Sequence, residues 1–336
     1  MRTLEIGRTG EKVGELALGA MLFGTTTDEP TAHRMLDHFL DAGGTHVDTA
    51  NCYSWWSGPQ YTGDESEDVL GRWFARTGRR DDVFLATKGS ARIRDLDGVW
   101  RQGSDEPDNA LAQSRYEGAG AQTLRDALEG SLRRLRTDHV DLYYVHVDDR
   151  STPLEETLEV LHSFVVEGKV RHLGWSNVRA WRLERVRATA AAHGWTVPVA
   201  LQQQHTYLHR TAGLDHASIV DDEQLDYLRA NDDVTLFAYT PTLRGSYDDD
   251  AKWATNWQHR FFDAPANDAR RALVHELAAE VGCTPNQLVL AWVLAQRSPR
   301  ISAITGVRTW EQYEQNIVAA EVELPAEVLA RLDAQP

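Results

Sequence analysis

Short apolar runs alternate along the chain with longer segments in which apolar residues recur at helical spacing. The short runs predict buried strands, and the longer segments predict the helices that follow them. The predicted strands cover residues 16–21, 45–50, 82–88, 140–146, 170–177, 199–204, 234–240 and 301–305. The predicted helices cover residues 31–42, 65–76, 121–136, 154–167, 180–193, 222–230, 268–281, 285–296 and 310–319. Strands that alternate with helices in this way predict a parallel sheet.

Eight such units in series favour a closed (β/α)8 barrel, the TIM barrel, over an open doubly wound sheet. Length alone suggests two domains at roughly 150 residues each, but one barrel can occupy the whole chain, residues 1–336. A small hairpin within residues 2–12 is expected to close the barrel floor. Two long irregular stretches, 89–120 and 241–267, follow strands on the face where barrel enzymes carry their sites. We expect these loops to border a substrate pocket.

The charge balance narrows the range of partners. Acidic residues outnumber basic ones by 51 to 35, so the formal net charge is −16. This acidity argues against nucleic acid and anionic membranes as partners, because both require a basic surface.

The two cysteines, Cys52 and Cys283, are too few for a disulfide framework or a four-cysteine zinc site. With no signal-peptide pattern and no metal-ligand spacing, the prediction is a metal-free cytoplasmic protein, as a monomer or a homo-oligomer.

Ionisable side chains follow three consecutive predicted strands. Asp48 ends the second strand and precedes Tyr53, Lys88 ends the third, and His146 ends the fourth. Taken singly, a strand-end Asp is often a helix cap and a lone His is often structural. Together they suit proton donation to a carbonyl that receives a hydride. A lysine ammonium lowers the pKa of a nearby tyrosine, a carboxylate keeps that lysine charged, and a histidine stabilises charge on the substrate oxygen.

Several segments resemble the aldo-keto reductase superfamily, from about Leu16 to the end of the chain. They are DTANCY (48–53), ATK (86–88), SLRRLRTDHVDLYYVH (131–146), GWSN (174–177), Gln204, AYTP (238–241) and ITGVRTWEQYEQN (304–316). The resemblance implies a (β/α)8 barrel that binds a nicotinamide cofactor without a Rossmann domain. It also implies that Tyr53 is the general acid, that Lys88 and Asp48 set its pKa, and that His146 orients the substrate.

The same resemblance implies a set of cofactor contacts at the barrel mouth. Ser176, Asn177 and Gln204 would bind the nicotinamide carboxamide, and Tyr239 would stack on the ring, which in this family gives 4-pro-R hydride transfer. The other implied contacts are Met21, the backbones of Leu243 and Gly245 near the pyrophosphate, and Gly306, Arg308, Gln312 and Asn316 at the adenosine end. The loops after the last two strands are the usual phosphate site of barrels, where a helix N-terminus attracts phosphate.

Arg308 favours NADP(H) over NAD(H). A guanidinium pairs with a 2′-phosphate, whereas the 2′-hydroxyl of NAD would prefer a carboxylate. Two neighbouring positions depart from the family pattern. Thr305 stands where many relatives have Pro, and Val307 stands where a small or hydroxylated residue is common.

The sequence is less informative about the substrate. An insertion, SWWSGPQYTGD (54–64), places Trp55 and Trp56 beside the proton donor. These side chains either pack under the loop or form an aromatic wall for a ring-shaped substrate. The 11 tryptophans of the chain favour a sugar- or glycoside-type carbonyl, with simple aldehydes and hydrophobic ketones as alternatives. The predicted function is therefore NADP(H)-dependent carbonyl reduction. The alternative is a cofactor-binding regulatory subunit with little turnover, similar to the barrel-type β subunits of potassium channels.

Overall fold

A closed parallel barrel forms the centre of the computed structural model, which describes residues 1–101, 103–104, 106–214 and 216–334. An antiparallel hairpin, β1 (Thr3–Glu5) and β2 (Lys12–Gly14), precedes it. The barrel strands are β3 (Leu16–Gly19), β4 (His46–Asp48), β5 (Phe84–Gly89), β6 (Val140–Val145), β7 (Val170–Ser176), β8 (Ala200–Gln204), β9 (Thr235–Tyr239) and β10 (Ile301–Gly306). They pair in chain order, and β10 closes on β3. The predicted (β/α)8 fold is confirmed. Residues 102, 105, 215, 335 and 336, which fall within the predicted domain, lie outside the described residues.

The helices surround this barrel and follow the predicted order. They are α1 (Glu29–Asp41), α2 (Glu65–Thr77), α3 (Asn109–Gln113), α4 (Ala121–Leu135), α5 (Leu154–Val166), α6 (Ala180–Ala192), α7 (Asp222–Ala230), α8 (Asp250–Thr255), α9 (Pro265–Val281), α10 (Pro285–Ala295), α11 (Trp310–Ala319) and α12 (Ala326–Asp333). Their apolar faces pack on the outside of the strands and form the larger hydrophobic core.

Three details differ from the sequence prediction. Both long stretches expected to be irregular contain short helices, α3 in the first and α8 in the second. Helix α9 begins at Pro265 rather than at residue 268, because proline suits the first helical turn. Helix α12 is not predicted at all, and contacts with distant residues help to hold it. The Trp292 indole donates to Asp333 at 2.8 Å, and the Tyr207 hydroxyl donates to the backbone of Leu332 at 2.9 Å.

The N-terminal hairpin lies across the floor of the barrel, as predicted. Ile6 and Val13 are fully buried and belong to the same apolar cluster as Phe237 inside the barrel. Gly7 makes the close approach possible. Its φ is +51°, and a Cβ there would lie 2.6 Å from the carbonyl oxygen of Asp233. The hairpin therefore closes one end of the barrel, and the polar residues at the strand C-termini lie at the other.

No single helix in the described residues has both the length and the apolar content of a membrane span. Helices α9 and α10 meet that criterion only as a pair, which bends by 93° at the break between them. The same part of the chain contains no group of three or more His, Cys, Asp and Glu side chains placed to hold a metal ion.

Candidate active site

The four ionisable residues predicted at the strand ends meet at the mouth of the barrel. Asp48 and Lys88 point inwards from neighbouring strands β4 and β5, and Tyr53 comes from the turn that follows β4. The Lys88 ammonium nitrogen lies 2.6 Å from Asp48 Oδ1 and 2.6 Å from the Tyr53 hydroxyl. His146 follows β6, and its ring meets the Tyr53 ring edge to face at a centroid distance of 5.5 Å.

Lys88 is completely buried, with 0% of its surface exposed. Its third hydrogen bond goes to the backbone oxygen of Thr49, at 2.7 Å. An ammonium has three N–H donors and no acceptor, so these three contacts use its whole capacity. Burial lowers the pKa of Lys88, and the Asp48 carboxylate opposes that shift. The three hydrogen bonds therefore replace water in stabilising the charged ammonium of Lys88.

The sequence predicts a lowered pKa for Tyr53, and the structure gives the opposite direction. Burial raises the pKa of Tyr53 well above its ordinary value, and the negative charge of Asp48 adds to the effect. The phenol therefore holds its proton, and the protonated form is the one that a proton donor needs. The contact with Lys88 is one that would stabilise a phenolate, because an ammonium favours negative charge on a neighbouring oxygen.

His146 is neutral, and its side chain is partly exposed at the barrel mouth. Burial, together with the charge of Lys88, lowers the pKa of His146 well below its ordinary value. The backbone N–H of His146 donates to Gly89 at 2.8 Å, which fixes the start of its loop. The thiol of Cys52 lies 3.4 Å from the ring Nδ1. Because burial raises the pKa of Cys52 to about 12, this contact involves the thiol and not the thiolate.

The residues predicted to bind the nicotinamide group form a connected set. Asn177 has φ +53° and donates from Nδ2 to the backbone oxygen of His146 at 2.7 Å and to Ser176 Oγ at 3.1 Å. The Tyr239 hydroxyl donates to Asn177 Oδ1 at 2.9 Å. Gln204 is buried, and its Nε2 has no hydrogen-bond partner among the described residues. An unused amide donor beside a strand end matches the carbonyl of a carboxamide.

The residues predicted to hold the phosphates and adenosine lie after β9 and β10. Leu243 (φ +48°), Arg244 (φ +63°) and Gly245 (φ +84°) form a left-handed turn. Arg244 and Arg308 are exposed, and the part of the chain described here offers neither guanidinium an acidic partner. Partial burial lowers the pKa of Arg244, and the charge of Arg308 adds to it. Two neighbouring cations without an acid match an anionic group such as a phosphate.

The remaining predicted cofactor residues lie close to this turn or to Tyr53. Gln312 lies in the first turn of α11, and its Oε1 accepts from the backbone N–H of Arg308 at 3.0 Å. Asn316 lies one turn further along the same helix, and Gly306 is exposed at the end of β10. Met21 packs beside Tyr53. These positions fit a nicotinamide dinucleotide laid across the barrel mouth.

The two predicted substrate residues have different surroundings. Trp55 is 6% exposed and packs with Ile93 and Val99 of the first long loop. Trp56 is partly exposed, and its ring meets the Tyr53 ring edge to face at 6.5 Å. Of the two alternatives, packing under the loop describes Trp55, whereas Trp56 has partly exposed surface beside Tyr53, and its role in substrate binding stays a prediction.

Two further residues contact the tetrad or its loops and were not predicted. Gln202 donates to Asp48 Oδ2 at 2.8 Å. Glu117 accepts from the Asn51 side chain at 3.0 Å and from the Ser90 backbone at 2.8 Å, which ties the first long loop to the turn that carries Tyr53. The strand period of two could have indicated Gln202, because it shares the inner face of β8 with Gln204. No local signal points to Glu117.

A closed parallel barrel with Asp, Tyr, Lys and His at its carboxyl end is the arrangement of a barrel enzyme. The sequence profile of the Aldo/keto reductase family matches residues 15–335, and the chain belongs to that family. Its members are oxidoreductases that generally use nicotinamide cofactors and act on small-molecule carbonyl substrates.

Named relatives cover nearly the whole chain. It is 35% identical to the uncharacterized oxidoreductase YrpG of Bacillus subtilis over 98% of this chain and 94% of that protein. It is 31% identical to the norsolorinic acid reductase stcV of Emericella nidulans, over 96% of this chain and 78% of that protein. It is 30% identical to the human aflatoxin B1 aldehyde reductase member 4, over 90% of this chain and 88% of that protein.

Proposed function

We propose that this protein is an NADP(H)-dependent reductase that converts an aldehyde or ketone to the alcohol, with Tyr53 as the general acid. The observation that carries the proposal is the position of the fully buried Lys88 ammonium, 2.6 Å from both the Tyr53 hydroxyl and Asp48 Oδ1. This arrangement is suited to the transfer of the one proton on the Tyr53 hydroxyl. The cofactor, when bound, supplies the hydride that the carbonyl carbon receives.

Each member of the tetrad has one task in this proposal. Tyr53 donates its hydroxyl proton to the substrate oxygen on which negative charge develops. Lys88 stabilises the phenolate that remains, and Asp48 keeps Lys88 charged in its buried position. Neutral His146 donates a hydrogen bond to the same substrate oxygen. These groups are already in place before substrate binds, so little reorganisation is needed during the reaction.

The proposed cofactor is held by the residues along β7 to β10 and their loops. Ser176, Asn177 and Gln204 would bind the carboxamide, and Tyr239 would cover one face of the ring. Met21, Leu243, Gly245, Gly306, Gln312 and Asn316 would contact the rest of the molecule. The preference for NADP(H) is supported by Arg308, a solvent-exposed guanidinium without an acidic partner in the ranges described, which suits a 2′-phosphate.

The proposed substrate is a ring-bearing carbonyl of the sugar or glycoside type. Trp56 supports this because it offers an aromatic face beside Tyr53, and aromatic rings stack well on flat, partly apolar molecules. We also propose that residues 1–336 act as one domain, with loops 89–120 and 241–267 on the substrate side. A cytoplasmic location and a monomeric or homo-oligomeric state stay predictions.

The test compares the parent protein with Tyr53→Phe. NADPH oxidation is measured with a panel of aldehydes, ketones and oxo-sugars that includes the named substrates of the relatives. We expect turnover in the parent and a loss of roughly 10²–10⁴-fold in the variant, the usual contribution of a general acid. NADPH binding, followed by fluorescence quenching, is expected to remain unchanged.

Two results would contradict the proposal. Turnover retained in Tyr53→Phe would remove this residue from the acid's role. Tight NADPH binding by the parent without turnover on any member of the panel would favour the regulatory-subunit alternative.

A further inference from the structure

A cavity of about 340 Å³ lies between the loops that follow β5 and β6, and we call it the side cavity. Its lining residues come from the first long loop, from the start of α4 and from the segment between β6 and α5. Its volume falls within the roughly 300–1,000 Å³ that small-molecule sites occupy. The side cavity therefore has room for a small-molecule group.

Tyr116 and Val147 join the side cavity to the proposed reaction site. Both residues line the cavity, and both pack in the apolar cluster that contains Tyr53. Val147 directly follows His146, and both Val147 and Tyr116 keep part of their surface exposed. A molecule whose carbonyl group reaches Tyr53 can therefore extend over these two side chains into the side cavity.

Arg94 supplies hydrogen-bond donors at the side cavity. The segments 92–94 and 115–117 pair as antiparallel backbone, with hydrogen bonds of 2.9 and 3.0 Å, so Arg94 and Tyr116 are held by one small ladder. Nη2 of Arg94 donates to the backbone oxygen of Glu117. A guanidinium has five N–H donors, and the ranges described place no carboxylate within ion-pair distance of this one. Arg94 therefore keeps donors for a ligand.

Ser151 and Thr152 supply acceptors at the same cavity. Both hydroxyls donate to the Asp149 carboxylate, each at 2.6 Å. Burial alone would raise the pKa of Asp149, but the hydrogen bonds from Ser151 and Thr152 outweigh it and keep this pKa below its usual value. Since a hydroxyl has one hydrogen and Asp149 takes it, the oxygens of Ser151 and Thr152 can only accept from a ligand.

These charges and hydroxyls favour a neutral ligand over an anion. Among the described residues that line the side cavity, Glu117, Asp148 and Asp149 outnumber the one arginine. Asp148 is paired with Arg182 at 3.2 Å, which still leaves two acids beside Arg94. A phosphate or carboxylate would also find the Ser151 and Thr152 hydrogens already in use. A ring that carries several hydroxyls fits better, because each hydroxyl both donates and accepts.

We propose that the side cavity binds a neutral, hydroxyl-rich ring joined to the reacting carbonyl compound, so that the substrate is a glycoside and not a single sugar. This inference rests on the proposed function and names the part of the substrate that does not react. Arg94 donates to the ring's hydroxyl oxygens, and Ser151 and Thr152 accept from its hydroxyl groups. Tyr116 offers an aromatic face to the ring, beside the path from Tyr53.

The test compares each hydroxybenzaldehyde with its own O-β-glucoside as a substrate for NADPH-dependent reduction. The ortho, meta and para isomers direct the sugar ring differently, so that one of them reaches the side cavity. For that isomer we expect kcat/KM of the glucoside to exceed that of the free phenol by roughly tenfold, the size of one or two hydrogen bonds. The gain should lie mainly in KM. The matching glucuronide, which is anionic, should show no gain.

The first variant, Arg94→Met, removes the donor and keeps a long side chain. We expect the ratio of glucoside to free phenol in kcat/KM to fall close to one. The matched control is Arg115→Met, on the same loop. Arg115 donates to the backbone oxygens of Asp95 and Asp97, at 2.8 and 2.6 Å, and does not line the side cavity. The control should keep the ratio of the parent.

The second variant, Thr123→Leu, fills the side cavity from the first turn of α4. We again expect the ratio to fall close to one, because the sugar ring loses its space. The matched control is Gln122→Leu, at the preceding and exposed position of the same helix. This second pair keeps the test decisive if Arg94→Met loosens the loop.

The inference is overturned if the parent shows a ratio of one for all three isomers, if the glucuronides are preferred, or if both variants keep the ratio of the parent. Turnover that is lost in Tyr53→Phe, together with a ratio of one in the parent, would overturn the role of the side cavity alone. Absence of turnover on every carbonyl compound would overturn the proposed function and this inference with it.

Discussion

The barrel mouth has two sides that differ in how far the protein itself provides partners for their charged groups. On the reactive side, formed by the ends of β4 to β6, all three donors of Lys88 are used and both oxygens of Asp48 have partners. On the cofactor side, formed by the ends of β7 to β10, the described residues leave Gln204 Nε2 without a partner and Arg308 without an acid. The reactive side balances its charge internally, whereas the cofactor side has capacity left for a ligand.

This difference has a physical meaning. A buried cation requires a partner within the protein, because it has lost its water, whereas an exposed cation keeps its hydration until a ligand replaces it. Removing Lys88 on the reactive side and removing Arg308 on the cofactor side should therefore affect different properties. On the reactive side it should reduce stability, and on the cofactor side it should reduce affinity for the cofactor alone.

The largest expected effect is that of Lys88→Met. The substitution leaves Asp48 buried without its ion-pair partner, and breaking a buried pair in this way costs about 3–5 kcal/mol of unfolding free energy. In the proposed reaction Lys88 stabilises the Tyr53 phenolate, so loss of its charge should also reduce kcat by roughly 10²–10³-fold. Urea denaturation and steady-state kinetics measure the two effects. An unchanged unfolding midpoint would contradict the view that the reactive side is internally balanced.

Arg308→Ala is the matched removal of a cation on the cofactor side. The guanidinium has no ion-pair partner in the described residues, so unfolding free energy should change by no more than about 0.5 kcal/mol. KM for NADPH should rise by roughly 10–100-fold, which corresponds to one charge-assisted hydrogen-bonded pair. KM for NADH should stay constant. Equal KM values for the two cofactors in the parent protein would show that Arg308 does not select the 2′-phosphate.

The smallest expected effect separates two adjacent tryptophans. Trp55→Phe should lower the unfolding free energy by roughly 0.5–3 kcal/mol, as for most substitutions of a packed side chain. It should leave KM values unchanged. Trp56→Phe should leave stability nearly unchanged and raise KM a few-fold for ring-bearing carbonyls, but not for small aldehydes. Identical kinetic profiles of the two variants would argue against a substrate surface on Trp56.

The parts of the site that the sequence predicts are those that lie at strand ends. Asp48, Lys88 and His146 each follow an apolar run, and the convergence of parallel strands brings them together whatever the side-chain details. The direction of the Tyr53 pKa shift could not be predicted, because it depends on burial by the surrounding loops. Gln202 stands in a row of three glutamines, and nothing local indicates that its partner is Asp48, 154 positions away.

The difference between local sequence patterns and contacts with distant residues also explains the errors in the fold prediction. The barrel strands repeat a strong local pattern, so their order follows from the sequence. Helix α12 has contacts with Trp292 and Tyr207 from distant elements, and its short amphipathic segment gives little signal without them. Trp55 and Trp56 are the same residue type at adjacent positions, and only the packing of the first long loop decides which of them is buried.

The hairpin beneath the barrel limits the route by which Tyr53 can regain a proton after the proposed reaction. Ile6 and Val13 are fully buried at the floor, so we expect solvent to reach the Lys88 site from the mouth. Cofactor and substrate would cover that mouth during turnover. In the proposed reaction, Tyr53 would therefore hold a single proton, which we expect water to replace only after the alcohol has left. We therefore expect a small hairpin at one end of the barrel to couple proton uptake at the other end to product release.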